Sequence, residues 1–224
     1  MKEEILDNND ITTKDIVIEV NLYSFIKRFL DIFFSVLALI PFLILLIIIK
    51  IIHILNNDFN SIFFNQLRVG KDNKMFKMYK FRTMIPDAEE VLKEMLKDKK
   101  YKKEWNENHK FENDPRITKI GNLLRKSSLD EIPQILNIIK GDMSIIGPRP
   151  VTQEEVDAYK KNKNKLVSVR PGLTGWWACN GRSNISNRER KKLELYYVDN
   201  ISFKLDLKIF FLTIVKVLKR DGAK

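Results

Sequence analysis

The feature that most constrains this chain is an apolar run close to its beginning, Ile32 to Ile49, which contains no charged residue. At helical rise the run spans roughly 27 Å, which is close to the hydrocarbon thickness of a bilayer, about 30 Å. A charge-free run of this length predicts a membrane helix. It also divides the chain, so we expect a leader over residues 1–22, a membrane element over residues 23–55 and a folded body over residues 56–224.

The path of the membrane helix depends on Pro41, which lies near the middle of the run. Proline removes a backbone hydrogen bond and clashes with the preceding turn, so we expect a kink at this residue. Lys27 and Arg28 precede the run and Lys50 follows it. Because basic flanks mark the cytoplasmic side, this symmetry favours a re-entrant helix that returns to the cytoplasmic face. A kinked helix that crosses the bilayer once is the alternative.

The leader is acidic and rich in asparagine. It lacks the basic start, the apolar middle and the small-residue cleavage site of a signal peptide. We predict a loosely ordered segment with a short strand or helix over Ile16 to Leu22.

The composition restricts the partners and the metals that the chain can use. A net charge of +11 indicates an anionic partner, which can be nucleic acid, phospholipid head groups or a phosphorylated substrate. The single cysteine, Cys179, excludes an internal disulfide. With His53 and His109 as the two histidines, no familiar zinc site can form, so a bound metal would take oxygen ligands, which favours Mg²⁺ or Mn²⁺.

An adjacent acid pair, Asp130 and Glu131, lies within a segment rich in anion-binding residues, Lys119 to Pro150. Arg125 precedes the pair, and Arg149 follows it in a stiff turn of glycine and proline. Carboxylates repel a phosphate unless cations, backbone amides or a metal neutralise the charge, so this arrangement is typical of phosphate chemistry. On the local sequence alone, two ordinary helix-capping acids are the alternative.

The helix that carries the acid pair has an uncertain start. Ser128 and Glu131 fit a capping box, which would place Asp130 in the first helical turn, where the helix dipole keeps a carboxylate ionised. Pro133 conflicts with this register because it would displace a bonded N–H. A start at Leu129 or at Asp130 therefore stays open.

Residues 61–84 predict a β-hairpin. The segments Ser61 to Gly70 and Met75 to Met84 read as strands that flank a turn. Lys80 and Arg82 lie two residues apart and would share one face of the second strand. That face either meets phosphate or forms a solvated basic edge.

Four further segments have simpler patterns. We predict a helix from Pro86, a lysine-rich solvated face, flexible loop or nucleotide lid after Leu96, and a polar scaffold helix over Thr152 to Lys165. The last segment is a basic amphipathic helix from Leu207 to Leu218. Such a helix either lies on a membrane surface or packs into the core.

A second tight turn follows Arg170 and is rich in backbone amides. We predict that it forms a wall for nucleotide or sugar, with Arg182 near phosphate. The wall would consist of Pro171, Gly172, Thr174, Gly175 and Trp176. The alternative is that Trp176 and Trp177 anchor the body at the lipid interface.

Five ordered motifs carry a resemblance to a known family: Lys80–Met84, Ser128–Gln134, Gly141–Ser144, Gly147–Pro150 and Pro171–Gly175. Together they resemble the bacterial sugar transferases known as monotopic phosphoglycosyl transferases, over about Lys27 to Thr213. The resemblance implies transfer of a sugar 1-phosphate from a nucleotide diphosphate sugar, with uridine as the base, to polyprenyl (undecaprenyl) phosphate. It also implies a place at the cytoplasmic face of the bacterial inner membrane, in contact with phospholipid, at the first membrane step of glycan synthesis.

The expected fold class is mainly α with a small β-hairpin, that is α+β. The resemblance implies a monotopic membrane protein with a re-entrant helix kinked at Pro41, interfacial amphipathic helices and a catalytic domain over residues 56–224. Two departures from the family pattern stand out. Ile40 replaces a serine that often precedes the kinking proline, and Trp177 with Ala178 replaces an alanine–glutamine pair.

The resemblance also implies a role for each site residue. Asp130 would attack the β-phosphorus and form an aspartyl phosphosugar, while Glu131 would help with metal binding or with the acceptor. Both carboxylates would bind Mg²⁺ or Mn²⁺. The phosphates would be neutralised by Lys80, Arg82, Arg125, Arg149 and Arg182.

A membrane-anchored basic adaptor, which binds anionic lipid or nucleic acid without catalysis, is the alternative function. It leaves the acid pair and the two rigid turns unexplained. No nucleic-acid-binding signature is present in the sequence, so we expect no nucleic acid partner. The sequence does not identify the sugar or the glycan pathway, and it leaves open whether the chain forms a homodimer.

Overall fold

The computed structural model describes residues 13–108, 111–181 and 185–218. Its helices are α1 (Thr13–Leu55), α2 (Ala88–Met95), α3 (Lys99–Asn108), α4 (Lys119–Ser127), α5 (Gln134–Lys140), α6 (Gln153–Asp157), α7 (Lys163–Leu166), α8 (Trp176–Cys179), α9 (Asn187–Asp199) and α10 (Phe203–Leu218). Its strands are β1 (Phe63–Val69), β2 (Met75–Phe81), β3 (Ser144–Ile146) and β4 (Gly172–Thr174). The described part is mainly helical with a small β-hairpin, which confirms the fold class at this level.

Helix α1 is the longest described element and continues through Pro41. It begins at Thr13, so the segment Ile16 to Leu22 is helical, and the predicted boundary at residue 22 falls inside a helix. Its part Leu22–Leu55 is long and apolar enough to cross a membrane by length and composition. The kink at Pro41 and the re-entrant path stay predictions.

One side of α1 packs against the body along most of the helix. The buried residues Asp31, Ser35, Phe42, Ile49 and His53 share this side, because they follow one another at helical spacing. The opposite side is apolar and exposed, and it includes Phe25, Phe33, Ile40, Ile44, Ile47, Ile51 and Leu55. The helix therefore has a packed side and an apolar side that no described residue covers.

Polar contacts fasten α1 to the body near both ends of this packed side. Arg28 donates to the carbonyls of Ile138 and Ile139 at the end of α5, at 2.6 and 3.0 Å. The last carbonyls of a helix have no partner within it and form the negative end of its dipole, so a guanidinium stabilises them. At the other end, His53 Nδ1 lies 3.1 Å from Arg82 Nη2.

The predicted hairpin is confirmed, since β1 and β2 pair antiparallel with Phe63 opposite Phe81. A 3-10 turn, Lys71–Asn73, connects the two strands. The ring of Phe81 stacks on Phe42 and on Phe63, with centroids 6.0 and 5.7 Å apart. Burial of these rings joins the hairpin to the middle of α1.

A parallel strand pair, which the sequence does not predict, joins the two turns of glycine and proline. Strand β3 pairs with β4. Gly172 N donates to Pro148 O at 2.7 Å, and Gly147 N donates to Thr174 O at 2.9 Å. A Cβ on Gly172 would lie 2.1 Å from Gly147 N, so glycine is needed where the turns meet. Both turns consequently reach the same part of the surface.

Helix α10 turns its apolar stripe outward. Leu207, Phe210, Phe211, Ile214 and Val215 are exposed. Core packing of this stripe is therefore wrong, because the buried side of α10 contains Asp206 and Ile209 instead. Contact with a membrane surface stays a prediction.

The packed side of α10 contains a buried polar group that we name the Asp206 cluster: Asp206, Tyr23, Lys27 and Tyr197. Asp206 accepts hydrogen bonds from Tyr23 and Lys27, each at 2.5 Å, and from Tyr197 at 2.8 Å. The cluster connects the beginning of α1 to α9 and α10.

One predicted segment agrees with one of its alternatives, and another differs from expectation. The lysine-rich segment contains the helix α3, whose Lys99, Lys100, Lys102 and Lys103 are exposed, so a solvated face is right and a flexible loop is wrong. The polar helix expected over Thr152 to Lys165 is divided into α6, a 3-10 turn and α7. Lys160 breaks it, since its φ of 51° is left-handed.

Candidate active site

The acid pair lies in a short 3-10 turn, Leu129–Glu131, between α4 and α5. Ser128 has a φ of 58° and makes no capping hydrogen bond through its side chain, so the predicted capping box is wrong. The left-handed residue turns the chain sharply after α4, and the start at Leu129 is right. Pro133 occupies the N-cap of α5, where its missing N–H removes no helical hydrogen bond.

Helix α4 carries Arg125 to the acid pair. Thr118 caps the start of the helix by accepting a hydrogen bond from Gly121 N at 2.9 Å. A Cβ on Gly121 would lie 2.0 Å from Thr83 O, so the glycine lets α4 contact the chain after β2. This contact places Arg125 Nε 2.9 Å from Thr83 Oγ1, where its charge interacts with that of Asp130.

Strand β2 carries Lys80 to the acid pair, where Lys80 Nζ donates to Glu131 Oε1 at 2.7 Å. The fully buried Asn137 holds β2 against α5. Its side chain accepts from Tyr79 N at 3.0 Å and donates to Lys77 O at 2.8 Å. The strand that carries Lys80 is thus bonded directly to the helix that follows the acid pair.

The electrostatics of Asp130 differ from the expectation. Burial raises the pKa of Asp130 and the charge of Glu131 raises it further, while Lys80 and Arg125 lower it. We expect a helix dipole to keep this carboxylate ionised, but the 3-10 turn is not the first turn of an α-helix. Loss of water contact therefore determines the direction of the shift.

A cavity of about 440 Å³ opens beside the acid pair, and we name it the catalytic cavity. Of the predicted site residues, those that line it are Lys80, Glu131, Arg149, Gly172 and Thr174. Leu129 and Glu131 form the wall on either side of Asp130, whose own side chain is partly buried and does not line the cavity. Wall residues that the sequence does not predict as site residues include Arg68, Trp177, Thr213 and Lys216.

Three arginines converge on one carboxylate at the edge of this cavity. We name Glu155, Arg68, Arg149 and Arg190 the Glu155 cluster. Arg149 Nη1 donates to both carboxylate oxygens of Glu155 at 2.9 and 3.2 Å. Arg68 and Arg190 donate to the same carboxylate at 3.2 and 3.3 Å. Three cations around one anion leave a surplus of positive charge.

A second carboxyl group, Glu194, does not remove this surplus. It is fully buried, and burial raises its pKa above the ordinary value. Tyr159 donates a hydrogen bond to it, and the nearest guanidinium nitrogen, Arg190 Nε, is 3.8 Å away. Burial favours the neutral form of Glu194, while the hydrogen bond from Tyr159 and the charge of Arg190 favour the ionised form. Even an ionised Glu194 leaves three guanidinium groups against two carboxylates.

Two donors buried in the wall of the catalytic cavity have no hydrogen-bond partner among the described residues. They are Arg68 Nε and Trp177 Nε1. A buried donor without an acceptor costs about 1–3 kcal/mol. Together with the surplus charge, these donors indicate a ligand that is rich in acceptor oxygens.

Arg82 does not reach the catalytic cavity. It follows the last residue of β2, Phe81, and turns toward the end of α1. There it donates to Asp58 and to the Ser61 carbonyl, both at 2.6 Å. The expected common face of Lys80 and Arg82 is therefore not observed.

The predicted wall is brought to the cavity only in part. Trp177 lines the cavity, whereas Trp176 stacks on Tyr196 with centroids 5.7 Å apart. Neighbouring residues of a helix point in different directions, so one of two adjacent tryptophans faces the cavity. Pro171 and Gly175 are buried and do not line it. Arg182 lies outside the described residues.

The carboxylates at the site fit Mg²⁺ better than a metal that needs many protein ligands. Within residues 13–108, 111–181 and 185–218, no group of three or more His, Cys, Asp or Glu residues could hold a metal. Asp130 and Glu131 are adjacent, and Mg²⁺ is commonly held by one or two carboxylates together with substrate phosphates and water.

The Glu155 cluster is the part of the site that sequence reasoning misses. Glu155 follows Thr152 at capping-box spacing, and it does form that box, which by itself indicates a structural acid. Arg68 and Arg190 have no local signal, because they come from β1 and α9 and meet Glu155 only in the folded chain.

Comparison with known proteins gives matches over most of the chain. Residues 22–220 match the family described as "Bacterial sugar transferase". The exopolysaccharide production protein ExoY of Sinorhizobium fredii (strain NBRC 101917 / NGR234) is 41% identical over 202 residues, which cover 88% of this chain and 87% of that protein. The UDP-galactose-lipid carrier transferase of Erwinia amylovora is 40% identical over 206 residues, 91% of this chain and 43% of that protein.

A third relative is the undecaprenyl-phosphate galactose phosphotransferase of Salmonella typhimurium (strain LT2). It is 40% identical over 200 residues, which cover 89% of this chain and 42% of that protein. The chain thus spans less than half the length of the relatives from Erwinia and Salmonella.

Proposed function

Because the chain belongs to the bacterial sugar transferase family, we propose that it moves a sugar 1-phosphate from a nucleotide diphosphate sugar to polyprenyl phosphate. The relative from Erwinia is named for a UDP-sugar and a lipid carrier, and the one from Salmonella for undecaprenyl phosphate. These names support UDP as the donor nucleotide and undecaprenyl phosphate as the acceptor. The product would enter bacterial glycan synthesis.

The observation that carries this proposal is the pairing of two features at one place. A partly buried acid pair borders a cavity whose wall contains surplus cations and unpartnered donors. The diphosphate of the donor would accept hydrogen bonds from Arg68, Arg149 and Trp177. Arginine suits this role because its planar fork binds two oxygens of a phosphate.

The proposed reaction has two displacement steps at phosphorus. In the first, an ionised Asp130 oxygen forms a bond to the β-phosphorus, and the bond from that phosphorus to the bridging oxygen breaks. The nucleoside monophosphate leaves with the electron pair. In the second, an acceptor phosphate oxygen attacks the same phosphorus, and the Asp130 carboxylate leaves. Arg125 and Lys80 counter the charge of Asp130 in both steps.

We propose that Asp130 and Glu131 together hold Mg²⁺ with the diphosphate. When bound, the ion would neutralise charge on the phosphate oxygens. Lys80 pairs with one oxygen of Glu131, Oε1, at 2.7 Å.

We also propose that the protein is monotopic and lies at the cytoplasmic face of the cell membrane. Arg28 and His53 are separated by roughly 38 Å of helix, yet both contact the same body. A helix that crosses the bilayer upright would extend away from that body and could not contact it at both positions. The contacts favour a helix that stays at one face, with its exposed apolar side in lipid.

The reaction can be tested with the full chain in detergent or nanodiscs. We would incubate it with a panel of UDP-sugars and Mg²⁺, first without and then with undecaprenyl phosphate, and follow UMP release. We expect one UMP per chain with a suitable sugar and no acceptor, together with a sugar-phosphate adduct on Asp130 in a peptide digest. Continuous release should begin when the acceptor is added.

A membrane-anchored adaptor would release no UMP with any sugar in the panel. An adduct on a residue other than Asp130 would move the nucleophile, and release without any adduct would replace the two-step reaction by direct transfer.

A further inference from the structure

A second cavity, of about 480 Å³, lies between α1 and α10, and we name it the α1–α10 groove. Its wall is mostly apolar. From α1 it includes Leu30, Phe34 and Ala38, from α10 Phe203, Leu207 and Phe210, and from the body Ile135, Ile138, Ile145, Ile146 and Leu173. The size is within the range of ligand pockets, about 300–1,000 Å³.

The groove continues into the catalytic cavity. Ile145, Leu173 and Phe210 line both spaces. Along α10 the lining changes at Phe210. The residues of α10 that line only the groove come before Phe210 in the sequence, and Thr213 and Lys216, which line the catalytic cavity, come after it. One helix thus lines the groove with Phe203, Leu207 and the paired Asp206, and lines the catalytic cavity with Thr213, Ile214 and Lys216.

The charged groups of the groove are already bonded within the protein. Lys27 pairs with Asp206. Asp31 accepts hydrogen bonds from Ser144 Oγ at 3.1 Å and from Ile145 N at 2.9 Å. The wall therefore attracts an uncharged, apolar occupant rather than an ionic one.

Both helices that border the groove also expose apolar side chains to the outside. On α1 these include Phe33 and Leu37, and on α10 Phe211 and Val215. If these faces lie in lipid, as proposed above, a lipid chain can enter the groove without crossing water.

We propose that the α1–α10 groove holds the isoprenoid chain of the acceptor while its phosphate occupies the Lys216 side of the catalytic cavity. The inference rests on the proposed function and adds the path of the second substrate. An amphiphile with one charged end and a long apolar chain matches the change of lining along α10. The position of the isoprenoid chain also determines the direction from which the acceptor phosphate approaches the acid pair.

The two half-reactions allow a direct test, because loading of Asp130 needs only the donor. The variant Ala38→Trp fills the groove, and Val36→Trp adds the same ring on the exposed side of α1. We expect both variants to load at the wild-type rate. Discharge to undecaprenyl phosphate should slow at least about tenfold in Ala38→Trp, which corresponds to about 1.4 kcal/mol, and should stay unchanged in Val36→Trp. Equal discharge rates in the two variants would overturn the proposal.

A second pair of variants does not depend on how Ala38 tolerates a larger side chain. Leu207→Lys places a charge in the groove, and Phe211→Lys places one on the same exposed face of α10 outside it. Both lose membrane-facing apolar surface, so equal losses of discharge would assign the effect to the bilayer and contradict the groove. A larger loss in Leu207→Lys supports it.

Photolabelling tests the groove even if the wild-type chain never loads, which would be a failure of the proposed function. The probe is a polyprenyl phosphate with a diazirine near the phosphate end of its chain. Label on the groove residues supports the groove: Leu30, Phe34, Ala38, Phe203 and Leu207. Label confined to the outer faces, or removed equally well by phosphatidylglycerol, would show general lipid contact and overturn the proposal.

Discussion

The Asp206 cluster and the Glu155 cluster are each centred on one carboxylate but differ in their balance of charge. Asp206 has one cation, Lys27, and two tyrosine hydroxyls as donors, so its charge is matched and its acceptors are used. Glu155 has three guanidinium partners, and two of them, Arg68 and Arg190, each keep a buried Nε without an acceptor among the described residues.

This difference separates a structural ionic group from one prepared for a ligand. A matched buried cluster joins helices and is damaged when one member is removed. A cluster with surplus cations is less favourable on its own, because like charges repel, and it gains when an anion binds. We therefore expect changes on the Asp206 side to lower stability, and changes on the cavity side to lower activity.

The largest effect is expected at Asp130, on the cavity side. Asp130→Asn keeps the shape but removes the attacking oxygen charge, so adduct formation should fall by at least about a thousandfold, or about 4 kcal/mol. Intact mass spectrometry after incubation with donor measures this loss. Glu131→Gln is the matched control, which should still form the adduct on Asp130, though more slowly.

The substitution Asp130→Asn should leave the melting temperature unchanged or raise it. The pKa of Asp130 is raised in the folded protein, so the folded state holds the proton more tightly than the unfolded chain does. Its ionisation therefore lowers stability as pH rises from the ordinary value of 3.8 through the raised pKa. Asparagine cannot ionise and avoids this loss. A variant that is inactive because it unfolds would contradict the separation of the two regions.

The next largest effect is expected from Asp206→Asn. It leaves Lys27 partly buried without its hydrogen-bonded counter-charge, and we expect a loss of about 3 kcal/mol in the free energy of unfolding. Denaturant titration measures it. Asp199→Asn breaks an exposed pair with Lys165 and should lose about 0.5 kcal/mol or less. If Asp206→Asn instead raised the KM for the donor at unchanged stability, the comparison would fail.

Arg149→Ala should have the opposite profile. Glu155 keeps Arg68 and Arg190, so stability should change little, while the KM for the donor should rise roughly thirtyfold, or about 2 kcal/mol. Steady-state UMP release measures the change. Arg188→Ala removes the same charge from an exposed site and serves as the control. A similar increase in KM in that variant would indicate a general field effect instead of a specific contact.

The smallest effect is a shift in pH dependence. Adduct formation needs ionised Asp130, so its rate should fall up to about tenfold per pH unit below the raised pKa. Lys80 lowers that pKa, and Lys80→Gln should therefore move the acid limb of the profile to higher pH. Lys77→Gln, on an exposed position of the same strand, should leave the limb in place. Single-turnover loading across pH distinguishes the two.

The two regions also differ in how far the sequence predicts them. Short stretches of sequence contain the acid pair, Lys80, Arg125 and Arg149. The structure brings Lys80 and Arg125 to the acid pair. The hairpin follows from its two strand-like segments and the turn between them. These features depend on local chemistry, which a single sequence contains.

The Glu155 cluster depends on tertiary packing and is therefore not predicted. Its members come from β1, α6, α9 and the loop after β3, and no spacing along the chain relates them. The same limit explains two errors. Arg82 is turned away by Asp58, which lies beyond α1, and Ser128 adopts a left-handed conformation where a capping box is expected.

The hydrogen bonds from Arg28 to the last carbonyls of α5 have a mechanical consequence. They join α1 to the segment that follows the acid pair, so if α1 lies in the membrane as proposed, its depth would set the height of Asp130 above the lipid. A thinner or thicker bilayer shifts an embedded helix. We expect the turnover rate of this protein to depend on the acyl-chain length of the surrounding lipid, without any regulatory ligand.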